Sequence, residues 1–99
     1  MQGWYPETFE REMGCTADEL LRWLPGASGG RTLESRPDGA QITIGAGSMR
    51  LQWQALPPRQ IALMQMPRLA VCFDFERVDE LVRQQFMRYF DLYTQRGGG

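Results

Sequence analysis

Residues 78–93, VDELVRQQFMRYFDLY, read as an amphipathic helix that follows a series of short strand-like runs. Val78, Leu81, Val82, Phe86, Tyr89, Phe90 and Tyr93 recur at steps of three and four, which gathers them into one broad stripe. Glu80, Arg83, Gln84, Arg88 and Asp91 fall on the other side. Such a stripe needs a second layer to cover it, and each large apolar side chain fully buried there contributes roughly 1.5–3 kcal/mol.

The second layer lies upstream. From Arg31 onward the apolar residues change from a helical period to the alternation of a strand, and five runs are expected as strands: 31–36, 40–45, 49–55, 60–66 and 69–75. Turn chemistry fills each gap: Pro37-Asp38-Gly39, Gly45-Ala46-Gly47-Ser48, Pro57-Pro58 and Met66-Pro67-Arg68. Gaps this short forbid the long crossover that parallel strands need, so the runs form an antiparallel meander. Alternation puts Ile42, Ile44, Leu51, Trp53, Ile61, Leu63, Leu69, Val71, Phe73 and Phe75 on the face under the helix, with Gln41, Thr43, Arg50, Gln52 and Gln54 opposite. In the run 60–66 the second face is apolar as well, through Ala62, Met64 and Met66. Something has to cover it, either an N-terminal helix or another molecule.

Ahead of the sheet, Pro6 suits a first helical position before Glu7 and Glu10, and Gly14 suits a helix end, so a helix is expected over residues 6–13. Thr16-Ala17-Asp18-Glu19 has the pattern of a capping box and opens a second helix over 17–24, which stops at Pro25-Gly26. The chain therefore reads as one α+β domain, 1–99. Its parts are an N-terminal helical hairpin (1–25), a linker (26–30), a five-stranded antiparallel sheet (31–75), a long C-terminal helix packed across that sheet (77–95) and a flexible tail (96–99). The order of helices, antiparallel meander and long last helix resembles the helix-grip architecture of START-type ligand carriers without their first strand. That resemblance implies a small apolar ligand held between sheet and helix. Arg96-Gly97-Gly98-Gly99 has the look of the diglycine tail of ubiquitin-like modifiers, but it leaves a helix and reads as a cap followed by a frayed end.

Composition excludes more than it assigns. The chain of 99 residues has no His, so triads, Cys-His pairs, imidazole bases and His-containing zinc sites are not available to it. All 11 basic residues are Arg, scattered among 12 acids, which points to a GC-rich, bacterial genome and gives no field for nucleic acid or an anionic membrane. The two cysteines, Cys15 and Cys72, are far apart and outside any CxxC, and no apolar run is long enough to span a membrane, so a cytoplasmic protein is expected.

Few residues remain as candidates for chemistry. Cys15 precedes the cap of a helix, where a dipole can activate a thiol, yet neither His nor Lys nor a resolving Cys accompanies it, so it reads as a small hydrophobe. Asp74, Glu76, Asp79 and Glu80 crowd the junction between sheet and helix, where the helix dipole by itself favours acids. Gly45-Ala46-Gly47 precedes a strand and so is a turn rather than a phosphate loop. No cofactor or metal is expected. The function ranked first is a non-catalytic interaction or adaptor domain, self-associating through Ala62, Met64 and Met66. An apolar-ligand carrier lined by Trp53, Phe73, Phe86 and Phe90 is the alternative, and an enzyme using the Asp74 to Glu80 carboxylates is third.

Overall fold

In a computed structural model that describes residues 4–95, the elements run β1 (Thr8–Met13), α1 (Ala17–Ala27), β2 (Leu33–Arg36), β3 (Gly39–Ile44), β4 (Gly47–Ile61), β5 (Met64–Glu76) and α2 (Glu80–Gln95). The five strands form one antiparallel sheet in the order β1-β5-β4-β3-β2. The protein is α+β with a five-stranded antiparallel sheet, as expected, but not with the five strands expected.

The N-terminal helical hairpin is the main correction. Residues 8–13 are an edge strand on β5, with Phe9 opposite Phe73 and Met13 opposite Leu69. Alternation was present there: Phe9, Arg11 and Met13 turn toward the core while Thr8, Glu10 and Glu12 face solvent. Arg11 occupies an inward position because its guanidinium lies over the Phe9 and Phe73 rings and donates to Asp91 Oδ1 at 2.7 Å. One helix, not two, precedes β2, and a strand precedes that helix, so the expected helix-grip order is not the order observed.

The other four strands cover less separate ground than expected. Pro57-Pro58 does not end a strand: β4 runs through it for 15 residues, and β5 runs through Pro67 for 13. The expected strand 60–66 is instead the far end of one hairpin, turning at Ala62-Leu63 between the paired residues Ile61 and Met64. The expected linker is displaced by two residues, to 28–32, since α1 continues through Pro25 to Ala27 and β2 begins only at Leu33.

The helix signals that did hold are local ones. Thr16 Oγ1 accepts from the Glu19 amide at 3.1 Å and Glu19 Oε1 accepts from the Thr16 amide at 2.9 Å, the reciprocal box that starts α1. Asp79 Oδ1 accepts from the Val82 amide at 3.1 Å and starts α2. Leu20, Leu24 and Ala27 of α1 join Phe86, Met87 and Phe90 of α2 and the inward residues of β3, β4 and β5 in one core. Both helices serve one side of the sheet; on the other, Thr43, Arg50, Gln52, Gln54 and Asp74 are exposed.

The stripe of α2 is rotated from the one its sequence suggests. Leu81 and Tyr89 point outward, at 67% and 45% exposure, while Arg83 and Gln84 are buried. The cause is the backbone of Tyr5. Gln84 Oε1 accepts from the Tyr5 amide at 2.9 Å, its Nε2 donates to the Tyr5 carbonyl at 2.8 Å, and Arg83 Nε donates to the same carbonyl at 2.8 Å. A buried backbone amide and carbonyl without partners cost about 1–3 kcal/mol each, enough to draw two polar side chains inward. The tail 96–99 and its Gly97 cap lie outside the described residues.

Candidate interaction surface

β4 and β5 outrun their neighbours. The last β3 partner of β4 is Gly39 opposite Gln52, and the first β1 partner of β5 is Met13 opposite Leu69. Residues 56–68 are therefore a two-stranded arm with neither edge paired, roughly 20 Å long at about 3.3 Å per residue. The longest dimension of the molecule is 46 Å, so the arm makes up a large share of it.

Three prolines set how this arm can be used. Successive residues of a strand turn their amides to opposite sides, so Pro57-Pro58 takes one donor from each side of β4. The inner loss is absorbed by the bulge between Leu56 and Arg59, where two residues of β4 stand against Pro67 alone. The outer loss, together with Pro67 on β5, leaves both free edges of the arm unsuited to adding another strand. Contacts of the arm have to be made by side chains.

The register sorts those side chains into two faces. Along β5, Met64, Met66, Arg68, Ala70, Cys72 and Asp74 share the face away from the helices; across the ladder Ile61 opposes Met64, Arg59 opposes Met66 and Leu56 opposes Arg68. Gln60 and Gln65 oppose each other on the other face of the arm, bridged at 3.3 Å, and Gln60 Nε2 also donates to the Ala62 carbonyl at 3.2 Å. The first of these faces is apolar toward the tip, through Ile61, Met64 and Met66, carries Arg59 and Arg68 toward the base, and continues onto Ala70 and Cys72 of the open sheet. At its end Leu63 is 98% exposed, Met64 62% and Ile61 53%.

The turn itself is built against preference. Of the three two-residue hairpins, Pro37-Asp38 between β2 and β3 keeps negative φ, while the other two put their first turn residue at positive φ: Gly45 at 59° between β3 and β4, and Ala62 at 53° between β4 and β5. Glycine adopts that conformation freely, whereas a residue with a Cβ is held there against roughly 1–2 kcal/mol. An Ala-Leu turn in place of Asn-Gly keeps apolar side chains at the tip.

Glu12 of β1 holds the base of the arm. Its carboxylate accepts from Arg68 Nε at 3.0 Å and Nη2 at 3.1 Å, with Arg59 Nη2 at 3.5 Å, while Arg68 Nη1 donates to the Pro57 carbonyl at 3.0 Å. The Arg68 hydrogen bond holds the Glu12 carboxyl below its usual range, and the same bond raises Arg68.

The structure places Ala62, Met64 and Met66 together on the arm, and adds Ile61 and Leu63, which alternation had assigned to the core. The signal for all five was apolarity on both faces of one run, which a sheet covered by helices on one side only does not bury. Trp53, Phe73, Phe86 and Phe90 are all buried. Phe90 meets Phe73 edge-on at 5.7 Å and Phe86 at 6.0 Å, and Trp53 Nε1 donates to the Pro37 carbonyl at 2.9 Å, so these four are packed against the protein itself. A groove of about 470 Å³ does exist, but between the end of α1, the loop after it and α2, lined by Gly26, Gly29, Arg31, Val82, Phe86 and Tyr89.

The remaining candidates have structural partners. Cys15 is buried, and that burial, with Glu19 nearby, pushes its thiol up to about 11, the reverse of activation. Asp74 accepts from Thr8 Oγ1 at 3.0 Å and Asp79 caps α2. Among the described residues no three His, Cys, Asp or Glu side chains stand close enough to hold a metal ion, and no helix is long and apolar enough to cross a membrane. The sequence matches no protein-family model and no curated protein.

Proposed function

We propose that this chain is a non-catalytic interaction module that self-associates through the apolar face of its β4–β5 arm. The observation that carries the reading is the arm itself, a ribbon that stands clear of the core with Ile61, Leu63, Met64 and Met66 exposed at its end. A bare two-stranded ribbon is marginal in water, and a large apolar patch on it marks a contact surface. Native mass spectrometry over a range of protein concentrations tests the reading. A dimer is expected for the natural chain and a monomer for a Leu63→Asp/Met64→Asp variant, whose folded core is untouched. A natural chain that stays monomeric throughout, or a variant that dimerises as well as the parent, overturns it.

A second reading, a carrier of a small apolar ligand, is supported by the groove between α1 and α2, whose volume falls in the range of about 300–1,000 Å³ usual for ligand sites. A likeness to helix-grip carriers belongs with it and rests on the last helix packed against an antiparallel sheet. A reproducible extra mass on the monomer, lost in Phe86→Ala, would favour this reading over the first.

A further inference from the structure

Taking the self-association above as given, we infer that two copies meet with their open sheet faces together across a two-fold axis, the arm of each lying over the β1–β5 side of the other. Three features lead there. The prolines deny the arm any edge-to-edge pairing, so it is the faces that have to meet. The face that carries Ile61, Met64 and Met66 is also the face of Arg59, Arg68, Ala70 and Cys72, so one surface, apolar at the tip and basic at the base, reaches the open sheet without crossing an edge.

Charge fixes which halves meet. Residues 56–68 carry Arg59 and Arg68 and no carboxylate; Arg68 is held by Glu12 of its own chain, and Arg59, its side chain 60% exposed and 3.5 Å from Glu12, is the charge open to a partner. On the same face, the β1–β5 side of the body carries Glu10, Asp74 and Glu76 beside Glu12, which its own Arg68 already engages, while Arg50 lies beyond it on β4. A two-fold axis near Leu69, at the base of the arm, sets Arg59 of one copy, level with Met66, at the height of Glu10 of the other, level with Cys72, twice, and both copies use the same patch, as a closed dimer requires. Two such overlaps, each about 20 Å long and two strands, about 10 Å, wide, cover roughly 400 Å² per copy, or about 800 Å² in all, the size of a weak, transient contact. Contact between the two tips alone would cover well under half of that. Among the described residues no strand or helix lies above the acidic side to compete for the position.

Charge exchange tests the arrangement. In sedimentation analysis at low ionic strength, Arg59→Glu and Glu10→Arg are each expected to weaken the dimer by about tenfold or more, and the E10R/R59E double variant to recover most of that loss. Both positions are exposed, and circular dichroism confirms that each variant is folded. Cys72 supplies an independent readout on the natural chain: its alkylation is expected to slow severalfold as concentration drives dimer formation, with buried Cys15 silent at all concentrations. A dimer that persists unchanged in both single variants, or that the double variant fails to recover, overturns the face-to-face arrangement and leaves self-association standing. A natural chain that remains monomeric overturns both.

Discussion

β4 and β5 are each one continuous strand made of two unlike halves. In the body, residues 47–54 of β4 alternate between inward and outward, and Leu51 and Trp53 are buried under the helices. Beyond the bulge the same strand is exposed at every position, although Ile61 is as apolar as Ile42 or Ile44. Both halves satisfy the same backbone ladder. What differs is whether a second layer stands above the side chains, so strand formation and core burial are separate matters in this molecule. The body is stabilised by its side chains, whereas the arm is held by backbone pairing and by one carboxylate at its base.

That contrast predicts its own largest effect. Phe73 is fully buried between Phe9, stacked at 4.7 Å, and Phe90, so Phe73→Ala should cost about 3–5 kcal/mol in urea denaturation. Leu63→Ala, an apolar truncation of similar character at the tip, should change the stability of the monomer by no more than about 0.5 kcal/mol. Comparable losses at the two positions would mean that the tip is covered in the monomer, and the distinction between body and arm would go.

A smaller effect sharpens the account of the body. Gln84 bonds both backbone groups of Tyr5, and its removal leaves a buried amide without a partner and a carbonyl with Arg83 alone. Gln84→Ala should therefore cost about 1–3 kcal/mol, and hydrogen exchange at the Tyr5 amide should accelerate in step. Unchanged exchange at Tyr5 would show that the N-terminal segment is fixed by the Tyr5 hydroxyl on Asp91 instead.

How much of this was legible in the sequence follows from the same physics. The sheet inside the body could be read because its alternation reports a real boundary between helix layer and solvent. β1 could not, because one of its inward positions is Arg11, whose stem packs as a hydrophobe while its head pairs with Asp91. The rotation of α2 was hidden for a related reason: Arg83 and Gln84 are buried by what Tyr5 needs, not by their own polarity. The arm was half legible. Apolarity on both faces of residues 60–66 marked Ala62, Met64 and Met66, but Pro57-Pro58 and Pro67 read as turns, since nothing local announces that a bulge will carry two strands past them. The candidate carrier residues were legible as an aromatic cluster, and an aromatic cluster is what a packed core also looks like.

The smallest predicted effect concerns the join between the two regions. Glu12 titrates below its usual value because Arg68 bonds its charged form, so folded protein binds this proton less readily than unfolded protein does. The contribution of the clamp is then complete above the ordinary carboxylate range, near 4.5, and is lost as pH falls through the lower value held in the fold. The group is at the surface, so global stability should hardly register the loss. The arm should register it, because Arg68 ties Glu12 of β1 to the Pro57 carbonyl across the bulge. Acidification is expected to broaden the Arg68 Nε–H resonance and the Met64 and Met66 methyl resonances while those of Met49 and Met87 in the core stay sharp, and Glu12→Gln should reproduce the change at neutral pH. Arm resonances indifferent to both treatments would show that the bulge and its prolines alone fix the angle of the arm, and Glu12 would then be a surface acid with close neighbours and no mechanical part.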